Sequence, residues 1–172
     1  QWGIGAYSRL LLRCFGMRAT RVGMKVLLDF HYSDDWADPQ KQTIPAAWAA
    51  DIGDTDKLAT HVYEYTRDVL ARLNSRGLLP YMVQVGNEIN TQMLRPADTK
   101  GAPIDWTRNA RILNAGIRAV REAHASDGSS PKVMLHVAQI EAEWVPIVCA
   151  IGISTILAIA ATAITFQWLV RW

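Results

Sequence analysis

Three short apolar runs, residues 24–30, 81–85 and 132–138, alternate with stretches whose apolar side chains recur at helical spacing, and this alternation constrains the fold more than any other feature. The first run, Met-Lys-Val-Leu-Leu-Asp-Phe, is entered through Gly23 and reads as a strand buried on both faces. Between the first two runs, Val62, Tyr65, Thr66, Val69, Leu70 and Leu73 step by three and four, with Glu64, Arg67 and Arg72 between them. That spacing predicts an amphipathic helix ending near Gly77. Leu113, Ile117 and Val120 predict another, from near Trp106 to the turn at 126–131. Leu11, Phe15, Arg18 and Val22 keep helical spacing more weakly.

Strands that alternate with helices pair in parallel through right-handed crossovers, because a parallel neighbour is reached only by crossing back over the sheet. The chain is therefore read as α/β. Its long connections follow the strands, at residues 31–54 and 87–105, whereas the returns from helix to strand are brief. In a β/α barrel the loops leaving the C-terminal strand ends build the active site. A doubly wound open sheet is the alternative, but no GxGxxG follows any run, so its dinucleotide-binding form has no support.

Composition narrows the function classes. Half the residues are hydrophobic and 20% are charged, which excludes a disordered or collagen-like chain. A net charge of +2 without a basic cluster speaks against nucleic-acid binding. Cys14 and Cys149 belong to no CxxC or Cys/His spacing, so neither a zinc site nor a redox motif is read from them. No charged segment followed by a short apolar stretch opens the sequence, so no signal peptide is read either. From Val145 to Val170 the chain carries 26 residues without a charge, bounded by Glu143 and Arg171. That length suffices for a membrane span, which needs roughly 20 apolar residues. The favoured reading is instead a tail that replaces the domain's natural continuation after a frame change, and a buried segment is the third.

Two clusters fall at strand ends. Residues 29–39 hold Asp29, His31, Tyr32, Asp34, Asp35, Trp36 and Asp38. Polar groups beside flat apolar rings suit a sugar, which offers hydroxyls at its edge and C–H groups on its face, although a solvated acidic loop has the same composition. The carboxylates lack the spacing and glycine of a calcium loop, so no metal is assigned. In the second cluster, residues 85–90, Glu88 stands where a parallel strand ends, with Asn87 beside it. A carboxyl near an apolar strand end can hold its proton near neutrality, as a general acid acting on a glycosidic oxygen must.

The stretches GMKVLLDFHYSDDWADPQKQTIPAAW at 23–48 and MVQVGNEIN at 82–90 resemble signature segments of the family 53 glycoside hydrolases, the endo-β-1,4-galactanases. LNAGIRAVR at 113–121 and KVMLHVAQ at 132–139 continue the likeness in order. The resemblance implies a fragment of a TIM (β/α)8 barrel covering roughly the middle strands, with residues 17–144 as the hydrolase domain, 1–16 unassigned and 145–172 as the apolar tail. It also implies endo-hydrolysis of β-1,4-galactan or arabinogalactan by a retaining reaction with two glutamates, no cofactor, and a secreted or cell-envelope location. By matching position Glu88 is the acid/base, and Asn87 holds the 2-hydroxyl of the sugar at the point of cleavage. His31, Asp35, Trp36 and His136 become candidates for lining the cleft, and Trp48 and Trp106 for stacking on sugar rings. A complete barrel takes roughly 250 residues. The resemblance implies that the nucleophilic glutamate belongs to a later strand than any seen here, and neither Glu141 nor Glu143 stands in its place, so the chain alone is expected to be inactive.

Overall fold

The computed structural model describes residues 16–97, 99 and 103–138. Three strands, β1 (Leu27–Phe30), β2 (Met82–Val85) and β3 (Lys132–Met134), form one parallel sheet in the order β1-β2-β3. Leu28 pairs with Val83 and Val83 with Val133, while Asp29 pairs with Gln84 and Gln84 with Met134. Helix α1 (Thr55–Asn74) connects the first two strands and α2 (Trp106–Arg121) the second two. Sequential strand order with helices packed side by side on one face is singly wound; an open doubly wound sheet would reverse direction and carry helices on both faces.

Local chemistry starts and stops the helices. Asp54 caps α1 by accepting from the backbone N–H groups of Asp56 and Lys57, and Asp105 caps α2 by accepting from that of Arg108. Beyond α1 the chain turns back through Gly77, whose φ of 66° an L side chain resists. Leu58, Val62, Thr66, Val69 and Leu70 of α1 and Ile112, Leu113, Ile117 and Val120 of α2 bury against Leu28, Phe30, Val83, Val85 and Leu135. Gly116 lets α2 lie close on the sheet, since a Cβ there would come within 2.7 Å of Val85 Cγ1 and 2.9 Å of the Tyr32 hydroxyl.

The strands are shorter than the apolar runs. Met24 is 64% exposed and its N–H bonds to Ala19 O, so it belongs to the turn after the helical residues 16–21. After Met134 the ladder ends because β2 has already turned away at Gly86; Ile89 N–H then bonds to His136 O and Ala138 N–H to Asn90 Oδ1. Nor is β1 buried on both faces. Leu28 and Phe30 point into the helix layer, whereas Leu27, facing the other way, is 46% exposed. The uncharged run 145–170, Glu141, Glu143, both cysteines and residues 1–15 lie outside the described residues. Among the described residues no helix is long and apolar enough to cross a membrane.

Candidate active site

Alternation along the strands places Asp29 and Gln84 side by side on the face turned away from the helices. Gln84 Nε2 donates to Asp29 Oδ1 at 2.5 Å and to Asn87 Oδ1 at 3.0 Å. His31, two residues beyond Asp29 and therefore on the same face, reaches Asp29 Oδ2 through Nε2 at 3.1 Å. Its Nδ1 accepts from the N–H of Ala37 at 3.0 Å, which fixes the ring proton on Nε2. The ring also meets the Trp36 indole edge-on, with centroids 4.9 Å apart.

Asn87 is fully buried and ties three segments together. Its Nδ2 donates to Ala37 O at 2.8 Å, so its Oδ1 is the acceptor for both Gln84 and His136 Nδ1, the latter at 2.5 Å. His136 consequently carries its proton on Nδ1. Burial lowers the pKa of this imidazole, with Asp29 opposing and His31 reinforcing the shift.

Glu88 follows directly. Gly86 at φ 81° and Glu88 at φ 48° both adopt left-handed backbone, which turns the chain sharply off the end of β2. A glutamate in that region is strained by about 1–2 kcal/mol, and such strain persists only where neighbours over-determine it. The half-buried carboxyl is pushed up from the ordinary glutamate range, first by desolvation, then by the negative charge of Asp38; His31 opposes the rise and Asp29 adds to it. A carboxyl in this setting is suited to carry a proton and release it.

The structure brings His31, Trp36, Asn87, Glu88 and His136 to one end of the sheet. It sets Asp35 apart at the surface, paired with Lys41 Nζ at 3.0 Å. Asp34 and Asp38 shape the loop: Asp34 Oδ2 accepts from Ala46 N–H, and Asp38 Oδ1 from the N–H groups of Gln40 and Lys41. Trp48 is 2% exposed, stacks on His61 at 5.6 Å and anchors its loop to the core rather than offering a face. Trp106 is half-buried against the same core at the start of α2.

Asp29, Gln84 and Gln42 are polar members of this site that no sequence motif marks individually. The available signal was a polar residue inside each of two apolar runs, at matching heights once the strands pair. Among the described residues no group of three His, Cys, Asp or Glu is placed to hold a metal ion. The other described glutamates, Glu64 and Glu122, are exposed and remote from this end: Glu64 lies on α1 and Glu122 follows α2, accepting from the Tyr63 hydroxyl.

Comparison with known proteins agrees with this architecture. The profile described as glycosyl hydrolase family 53 matches residues 12–147. An arabinogalactan endo-beta-1,4-galactanase of Cellvibrio japonicus is 53% identical over 126 residues, covering 72% of this chain and 33% of that protein. An endo-beta-1,4-galactanase of Bacillus subtilis is 44% identical over 111 residues, covering 64% of this chain and 24% of its own length. The Ignisphaera aggregans GH53 catalytic domain superposes with a TM-score of 0.70 at 36% identity, covering 85% of this chain and 39% of that one. The chain thus spans about a third of the length of the curated relatives it matches. Its three parallel strands and two helices correspond to part of a TIM barrel.

Proposed function

Because the chain belongs to glycosyl hydrolase family 53, we propose that it carries the acid/base part of a retaining endo-β-1,4-galactanase, with galactan or arabinogalactan as substrate. The observation that carries the reading is Glu88: a carboxyl with a raised pKa, on strained backbone at a strand end, beside a fully buried asparagine. Protonated Glu88 donates to the departing glycosidic oxygen while a second glutamate attacks the anomeric carbon. Glu88 then acts as base and activates the water that releases the sugar.

Asn87 is suited to its part by hydrogen-bond capacity. Both Oδ1 acceptor positions and one Nδ2 hydrogen are engaged, so the one remaining N–H is the donor for the sugar's 2-hydroxyl, and because Asn87 is fully buried the groups covering it must move aside for that contact. His31, Trp36 and His136 line the cleft, and Asp35 meets substrate only at its outer rim. No cofactor is needed, since the reaction uses water and two carboxyl groups. Polymeric galactan cannot enter a cell, which supports a secreted or cell-envelope location. The hydrolase domain is placed at residues 17–144, inside the matched span 12–147, and the uncharged run beyond that span is read as a tail foreign to it.

A retaining site sets its two carboxyls roughly 5 to 5.5 Å apart. No second glutamate stands at this end of the sheet among the described residues, which favours a chain that binds galactan without cleaving it. Galactotetraose is expected to raise the melting temperature of the purified chain, and cellotetraose is not; a hundredfold excess over Kd adds about 2.7 kcal/mol. Galactan incubated with the chain should yield no oligosaccharides. Equal shifts with both sugars would contradict the substrate class, and product release would contradict the missing nucleophile.

A further inference from the structure

We propose that Gln42 is a positioning residue for Glu88, its side-chain amide holding the left-handed backbone at that position from the neighbouring loop. The inference rests on the reading of Glu88 as the proton donor. Gln42 is 3% exposed, and its Nε2 lies 2.8 Å from Asn87 O and 3.2 Å from Glu88 O. Successive carbonyls of an extended chain point to opposite sides. Here the turn through Glu88 at φ 48° brings both within reach of one NH2 group, whose two hydrogens match the two acceptors. The opposite amide orientation would set Oε1 against two carbonyl oxygens, so this contact also fixes which way the side chain lies.

Gln42 is itself anchored through its backbone. Arg95 N–H donates to Gln42 O at 2.9 Å and Ile44 N–H to Arg95 O at 2.9 Å, so the loop after β1 and the loop after β2 are stitched together beside the site. Arg95 completes the stitch by donating to Thr99 O at 2.7 Å and to Gln40 O. The remainder of the β2 loop is held separately. Arg108 donates to the carbonyls of Met93 and Leu94, and Asn109 bonds to Met93 N–H and Thr91 O. Gln42 is the side chain from the β1 loop whose donated hydrogen bonds reach the two carbonyls on either side of the Glu88 φ/ψ pair.

The test follows the Glu88 carboxyl by carbon NMR titration in the 172-residue chain, with Gln42→Met, Gln42→Asn and, as a control, Arg108→Met. Gln42→Met keeps the volume and removes both donor hydrogens. The Glu88 midpoint should fall toward the ordinary glutamate value, and the Glu88 Cα shift should move away from its left-handed position. Gln42→Asn, one methylene short, should do the same to a smaller extent and carries the test if the methionine variant does not fold. Arg108→Met should lower the melting temperature while leaving both Glu88 signals in place. An unmoved midpoint and Cα shift in a folded Gln42 variant would overturn the proposal, as would an equal change on Arg108→Met. If Glu88 in the unaltered chain titrates at an ordinary value, the proton-donor reading fails instead, and the Cα shift alone decides the role of Gln42.

Discussion

The two ends of this sheet are built on different terms. At the C-terminal end, Asp29, His31, Gln84, Asn87 and His136 form one hydrogen-bonded network, and the loops above it are tied to each other and to α2 by Gln42, Arg95, Arg108 and Asn109. Toward the other end Met24, Leu27 and Tyr81 are exposed, and the ammonium groups of Lys25 and Lys132 lie 4.3 and 5.0 Å from the centre of the Tyr81 ring. Two βα units and a third strand thus hold the five polar side chains of the C-terminal end together through hydrogen bonds among themselves. The apolar face near the base is one that a complete barrel interior would cover.

If that contrast is right, a small change at the top should cost far more than a larger change at the base. Gly86→Ala carries the largest expected stability effect, because the new Cβ would sit 2.6 Å from Ile89 Cγ2 and 3.2 Å from Met93 Cε, on backbone at φ 81°. Left-handed strain and overpacking together amount to about 3 kcal/mol. By thermal denaturation this should appear as a drop of roughly 10 °C. A loss below a few degrees would show that the top is softer than its hydrogen bonding implies.

Smaller and opposite in sign is the effect of Glu88→Gln. The folded state raises the Glu88 pKa, so the stability linked to its proton is fully present below the unfolded value and is lost as pH rises through the folded one. The amide never ionises, so Glu88→Gln should melt above the parent at pH 7 and level with it in acid. His136 works in the other direction: its pKa is lowered by burial, so its contribution is present above the ordinary histidine range and fades as pH falls. Melting curves of both proteins between pH 4 and pH 8 check the signs. Smallest of all should be Leu27→Lys at the open face, within about 0.5 kcal/mol of the parent. A loss several times larger would mean that this face is covered after all.

The same contrast marks what could be read from sequence. Helices α1 and α2 were legible because their apolar spacing is a local property, and Asp54 and Asp105 cap them where the long loops end. Asn87 and Glu88 stood out as a short motif at a strand end. The network beneath them did not, because Gln84 meets Asp29 across 55 residues and Gln42 meets Asn87 across 45, contacts that exist only once strand register and loop path are fixed. The acidic stretch 29–39 reads as one cluster, yet its four carboxylates divide among the site, the loop turns and the surface. Composition carries no information about that division.

The central claim, that the Glu88 carboxyl delivers the proton in galactan cleavage, is tested most directly in a chimera. Residues 17–138 of this chain would replace the matching segment of the Cellvibrio japonicus galactanase, and galactan digestion would be measured with Glu88 intact and as Glu88→Gln. The account predicts an active chimera whose kcat falls by roughly a hundred- to ten-thousand-fold on the substitution. Digestion at an undiminished rate would contradict it.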